Sequence, residues 1–173
     1  MDKGKGLSAK IREVAHLSGS FTLRSGRKAS EYFDKYKFEA KPGILSEVAK
    51  HMVDLIPPGT EVLAGLELGG IPIVTMLSYY SGLPVAFVRK TAKEYGTAKL
   101  AEGEEVSGKK VLIVEDVVTS GGQIILSTND LRLLGADIEY ALCVIDREEG
   151  GYEKLATNQI KLLSLFKKSD LNE

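Results

Sequence analysis

The chain has almost no excess of charge of either sign: 23 lysines and arginines stand against 24 acidic residues, a formal net charge of −1 over 173 residues. Without a broad basic field it has no general attraction for nucleic acid, so any anion must be held by a local site. It has one cysteine, Cys143, which excludes an internal disulfide and favours a reducing compartment. Cys143 sits in the apolar run Ala141-Leu142-Cys143-Val144-Ile145 and reads as a small core residue. The two histidines, His16 and His51, fall on predicted helices without cysteine or acidic partners at metal-ligand spacing, and neither is expected to be catalytic. No apolar stretch approaches the roughly 18 residues of a membrane span, and no apolar run follows the basic residues of Met1 to Lys10. The expectation is a cytoplasmic protein. Internal repeats and low-complexity tracts are also missing, as is the phosphate motif G-x-x-x-x-G-K-[ST]. Gly65-Leu66-Glu67-Leu68-Gly69-Gly70 does not match G-x-G-x-x-G, so nucleotide hydrolysis and dinucleotide redox chemistry lose ground.

What is present is an alternation. Short β-branched runs at about 62–67, 84–89, 111–115, 139–145 and 160–164 are separated by segments with helical spacing. Helices are predicted over 45–55, 71–80 and 122–134, closed by Pro57-Pro58-Gly59, Gly82 and Gly135 respectively. This is the pattern of an α/β protein with a mostly parallel central sheet flanked by helices. One domain is expected over 1–173, with a core at about 43–150. The flanks, about 1–42 and 151–173, fit the alternation less well and are expected to form a small cap, or hood, that includes an amphipathic helix over 5–17. Between two strands, Lys90 to Lys110 is a charged, glycine-punctuated loop of about 20 residues, a length typical of active-site lids.

The decisive run is Val111-Leu112-Ile113-Val114-Glu115-Asp116-Val117-Val118-Thr119-Ser120-Gly121-Gly122-Gln123. It reads as a strand ending in two carboxylates, then a small-residue turn that opens a helix. Such a turn can aim backbone N–H groups and hydroxyls at a phosphate, with the helix N-terminus behind them. Carboxylates beside a phosphate cradle would repel the phosphate if they touched it, so Glu115 and Asp116 should face sugar hydroxyls or a cation. The end of a parallel strand is also where open α/β sheets bind ligands. A phosphorylated sugar satisfies both halves.

This run resembles the signature with which type I phosphoribosyltransferases bind 5-phosphoribosyl 1-diphosphate (PRPP). The resemblance implies that fold, with Glu115 and Asp116 on the ribose hydroxyls. Thr119, Ser120, Gly121 and Gly122 then hold the 5′-phosphate, with Val117, Val118 and Gln123 also on PRPP.

Four further segments are similar to the orotate branch of that family. Phe21 to Asp34 resembles the stretch lining the orotate side, with Arg24 where many relatives carry lysine. Glu67-Leu68-Gly69-Gly70-Ile71-Pro72 resembles the pyrophosphate loop, where Gly69 and Gly70 would let main-chain N–H groups approach the diphosphate. Some relatives have a lysine near Gly69, and this chain does not. Arg89-Lys90-Thr91-Ala92-Lys93-Glu94-Tyr95-Gly96-Thr97 resembles the mobile catalytic loop. It places Arg89, Lys90, Lys93 and Tyr95 on PRPP, and Tyr95 occupies a position often filled by histidine. By the same resemblance Lys93 is catalytic alongside Glu115 and Asp116 and reaches a neighbouring subunit, which implies a homodimer. Finally, Ile145 to Gly151 puts Arg147 on the orotate carboxylate, a task suited to a planar fork of donors, with Arg24 and Thr119 also on the base side.

The implied activity is magnesium-dependent transfer of the phosphoribosyl group from PRPP to orotate, with Mg²⁺ held mainly through PRPP and water. Two alternatives stay open: a phosphoribosyltransferase for another base, or a regulatory protein that senses PRPP on the same fold.

Overall fold

A computed structural model of the chain describes residues 5–22, 26, 28–91 and 100–171. It begins with helix α1 (Lys5–Ala15), strands β1 (His16–Thr22) and β2 (Lys28–Phe33), and helices α2 (Lys35–Glu39) and α3 (Pro42–Val53). Strand β3 (Val62–Leu66), helix α4 (Gly70–Ser81) and strands β4 (Val85–Val88), β5 (Ala101–Gly103) and β6 (Lys110–Val118) follow. Helix α5 (Gly122–Leu133), strand β7 (Asp137–Asp146), helix α6 (Gly151–Thr157), strand β8 (Lys161–Lys167) and a 3-10 turn at Lys168–Leu171 complete it.

Six strands form one sheet in the order β5-β4-β3-β6-β7-β8, parallel throughout except for β4 against β5. Residues alternate across β6, and both faces are covered. Val111 and Ile113 point into a core shared with Ile124 and Leu131 of α5 and Leu155 of α6. Leu112 and Val114 point into a second core with Val48 and Met52 of α3 and Ile73, Val74 and Leu77 of α4. Burial on two sides explains why the central strands read as unbroken apolar runs. Among the described residues no helix is long and apolar enough to cross a membrane.

Several boundaries differ from the sequence expectation. Helix α3 starts at Pro42 rather than near residue 45, because the first helical turn needs no N–H from its first residue and proline's fixed φ suits that position. Strand β6 continues to Val118, held by parallel pairing with β7 as far as Val118 opposite Asp146, so Glu115 and Asp116 lie within the strand rather than at its end. Within the expected 90–110 loop, residues 101–103 form β5 on the edge of β4.

The expected hood is corrected at its C-terminal half. Strand β8 pairs in parallel with β7 and buries Leu162 and Phe166, so it belongs to the main sheet. The terminal turn Lys168–Leu171 reaches α1. The hood that remains is N-terminal, built from α1, α2 and the antiparallel β1–β2 hairpin. Leu7, Ile11 and Ala15 of α1, with Phe38 of α2, anchor it in the core on the α3 and α4 side. His16 opens β1 instead of lying on a helix, and its Nε2 sits 3.4 Å from Glu31 across the hairpin, an acidic partner that its sequence neighbours did not reveal.

Candidate active site

The C-terminal ends of β3, β6 and β7 bring three of the expected segments together. On β6, Asp116 is fully buried; its Oδ1 accepts from the Val117 N–H at 2.6 Å. Glu115 turns its Oε1 back to accept from the Asp116 N–H at 3.0 Å. Beyond them Thr119 and Ser120 are exposed, and Gly121 takes φ +70°, a left-handed conformation that glycine adopts without strain. No side chain caps the start of α5, so its first N–H groups remain available to an anion. Gln123 donates from its side chain to Ser127 Oγ at 3.1 Å, within the helix.

The 67–70 loop crosses directly over this acid pair. A Cβ at Gly69 would lie 1.6 Å from Asp116 Oδ2, and one at Gly70 would lie 2.6 Å from the Val114 carbonyl oxygen. Both glycines are therefore required by the closeness of the loop to β6. Glu67 Oε1 accepts from the Lys90 N–H at 2.5 Å, which ties the pyrophosphate-loop segment to the start of the expected catalytic loop. Arg89 at that start has its Nε 4.0 Å from Glu102 of β5.

At the end of β7 the Arg147 N–H donates to the Val118 carbonyl at 2.9 Å. Its guanidinium lies 5.7 Å from the ring centre of Phe33, on the hood, and its Nε is 3.5 Å from Glu149. Arg147 thus stands between hood and sheet. Arg24, Lys93 and Tyr95 lie outside the described residues.

Electrostatics divide the acid pair. Burial, followed by the hydrogen bond and charge of Asp116, pushes the Glu115 carboxyl well above its ordinary value. Burial acts upward on Asp116 too, but hydrogen bonds from Glu115 and Lys35 and the Lys35 charge outweigh it and hold Asp116 low. Two carboxyls this close do not both ionise readily, and the cation on one side decides which keeps the charge. The pair is thus driven apart, with charge favoured on Asp116 and disfavoured on Glu115.

A family model, the phosphoribosyl transferase domain, matches residues 37–163. An orotate phosphoribosyltransferase from a Nocardioides species is 50% identical over 166 residues, 96% of this chain and 93% of that protein. The chain belongs to the orotate phosphoribosyltransferase family. Another member, from Methanocella arvoryzae, is 47% identical over 153 residues, covering 88% of this chain and 87% of its own. Among solved structures, the Mycobacterium tuberculosis orotate phosphoribosyltransferase in complex with PRPP matches with a TM-score of 0.85 at 25% identity, over 99% of both chains.

Two residues of this family member that sequence reasoning did not single out bear on the charge of the acid pair. Lys35, on α2, places its Nζ 2.6 Å from Asp116 Oδ2. Glu39, one helical turn further on, is buried, and neither of its carboxyl oxygens meets a donor among the described residues. Their spacing of four puts them on one helix face. That was a readable signal, but nothing local in the sequence says that this face meets β6.

Proposed function

We propose that this protein transfers the 5-phosphoribosyl group of PRPP to orotate, giving orotidine 5′-phosphate and diphosphate. The observation that carries the reading is the convergence at one sheet end of an acid pair, an uncapped helix start and a glycine loop packed against the acids. These parts match the three charged or polar portions of PRPP: ribose hydroxyls, 5′-phosphate and diphosphate. Arg147 beside Phe33 supplies a donor fork next to an aromatic ring, a suitable setting for a planar base bearing a carboxylate.

The reaction breaks the bond from C1′ to diphosphate oxygen and forms one from C1′ to a ring nitrogen of orotate, through an oxocarbenium-like state. Orotate attacks as an anion, so no strong protein base is needed. Asp116 accepts from a ribose hydroxyl, and the N–H groups opening α5 hold the 5′-phosphate. Arg89, Lys90 and Lys93 stabilise the charge that grows on the departing diphosphate. Holding the two substrates in line can lower the barrier by roughly 7–11 kcal/mol. Lys93 acts on the site of a second copy of the chain, which makes the working form a homodimer. Closure of the 91–105 loop keeps water from C1′.

Among the described residues no three His, Cys, Asp or Glu side chains converge to cage a metal. A magnesium ion that keeps most of its waters and takes its remaining oxygens from PRPP fits such a site. When bound, it supplies neutralisation of the diphosphate charge.

The test is the loss of orotate absorbance on adding PRPP and Mg²⁺, repeated with adenine, hypoxanthine and uracil. Turnover confined to orotate is the expected result. Turnover of a rival base, or PRPP binding without turnover of any base, would replace this reading by one of the two alternatives. Sizing of the purified protein tests the dimer.

A further inference from the structure

Asp116 is asked to meet a sugar, yet in this structure its carboxylate is enclosed. Its side chain has no exposed surface. Oδ1 is held by a backbone N–H, while Oδ2 faces Lys35 Nζ at 2.6 Å and the Gly69 backbone. Glu39, four residues after Lys35 on α2, has both carboxyl oxygens buried and no donor among the described residues. Two buried carboxyls side by side are tolerable only where a proton lies between them or a cation beside them. Lys35 supplies the cation, and a protonated Glu39 on the same helix face would supply the proton. In agreement, burial first, then the charge and hydrogen bond of Asp116, push the Glu39 carboxyl up to about 9.

Both side chains come from α2, a helix of the hood, and Asp116 comes from the central strand of the sheet. Asp34 caps this helix by accepting from the Tyr36 N–H at 3.2 Å, and Phe38 between the two residues is fully buried, so the helix is fixed at its start and along its inner face.

We infer that Lys35 and Glu39 are positioning residues for PRPP: from one face of α2 they lock the Asp116 carboxylate beside Gly69, orienting the ribose-binding acid before the sugar arrives. The inference rests on the phosphoribosyl-transfer reading above. Its energetic logic is preorganisation: an acceptor already turned and desolvated does not have to be ordered during binding. Lys35 contributes charge and Glu39 a neutral donor, so the two should respond differently to substitution.

The experiment is calorimetric titration of the full chain with PRPP and Mg²⁺, together with separate Michaelis constants for PRPP and orotate. Lys35→Ala and Lys35→Gln should weaken PRPP binding by about 10- to 100-fold, the span expected for a lost hydrogen bond to a charged group. The Michaelis constant for orotate should move by less than about threefold, and Lys35→Arg should restore most of the PRPP affinity. Glu39→Gln, which keeps a donor, should bind PRPP within about threefold of the parent, while Glu39→Ala should lose roughly tenfold. Melting temperatures separate this from a general loss of fold, since a purely structural role would lower them without dividing the two Michaelis constants. PRPP affinity within twofold of the parent in Lys35→Gln and Glu39→Ala would overturn the inference alone. Failure of the parent to bind PRPP would overturn both this inference and the reading it rests on. A parent that binds PRPP without consuming orotate would overturn only the base assignment, and the variant titrations would still decide the role of α2.

Discussion

The turn after β6 and the helix α2, both assigned above to the same sugar phosphate, differ in the groups they offer it. From Thr119 to Gly122 the groups on offer are main-chain N–H groups, made available by a left-handed glycine and an uncapped helix start. From Lys35 to Glu39 they are long side chains that reach about a full helical turn to meet one carboxylate on another element. A backbone device tolerates change in side chains but not in glycine. A side-chain device tolerates change in backbone neighbours but not in charge. Substitutions in the two regions should therefore fail in different ways.

The largest effect is expected at Gly69, which packs against the carboxylate that Lys35 of α2 holds. A methyl group there would overlap Asp116 Oδ2, and that carboxylate is held by Lys35 and the Val117 N–H, so the loop itself must move. Gly69→Ala should lower kcat/KM for PRPP by at least about 100-fold, as misplacement of a positioned group can do. A change of less than fivefold would mean that the loop is not set by its contact with β6. Next comes the catalytic loop: Lys93→Ala should slow kcat by about 100-fold or more and leave orotate affinity within about threefold, the signature of an interaction made only in the transition state. Equal losses in both constants would assign Lys93 to ground-state binding instead.

A smaller effect is expected on the base side. Arg147→Lys keeps a charge but loses the planar fork beside Phe33, and should raise the Michaelis constant for orotate by roughly tenfold while that for PRPP stays near its parent value. If the PRPP constant rises as much, Arg147 belongs to the phosphate side. The smallest effect concerns pH. Burial and then the charge of Asp116 push the Glu39 carboxyl up to about 9 in the fold against an ordinary value of 4.5. Below pH 4.5 both folded and unfolded chains carry the proton, and its contribution to stability is complete. As the pH rises toward 9 the unfolded chain gives up the proton and the fold retains it, so that contribution declines through this window. The melting temperature of the parent relative to Glu39→Gln should thus fall from about pH 5 to about pH 9 and level off beyond. A difference independent of pH would show that Glu39 is ionised in the fold.

How much of this was legible in advance follows the same division. The order of sheet and helices was readable because two-sided burial writes itself into unbroken apolar runs such as Val111 to Val114 and Ala141 to Ile145. The acid pair and the glycine turn were readable because they are contiguous: strand, carboxylates, turn and helix start occupy thirteen consecutive residues. The place of β8 was not, since a single short apolar run suits a cap or a sheet edge equally, and only its pairing with β7 chooses. Nor was the extent of β6 readable. Valines at 117 and 118 fit both a strand and a turn until the opposite strand continues beside them.

By itself, then, the sequence determined the α/β alternation, the glycine turn after β6, and the positions where glycine and carboxylate had to stand, because each depends on neighbours along the chain. The tertiary structure decided which face of α2 meets Asp116, that Lys35 supplies its cation, that Phe33 lies against Arg147, and that the C-terminal strand joins the sheet. These are contacts between elements far apart in sequence, and their energies come from burial and charge at short range, quantities that exist only once the chain has folded.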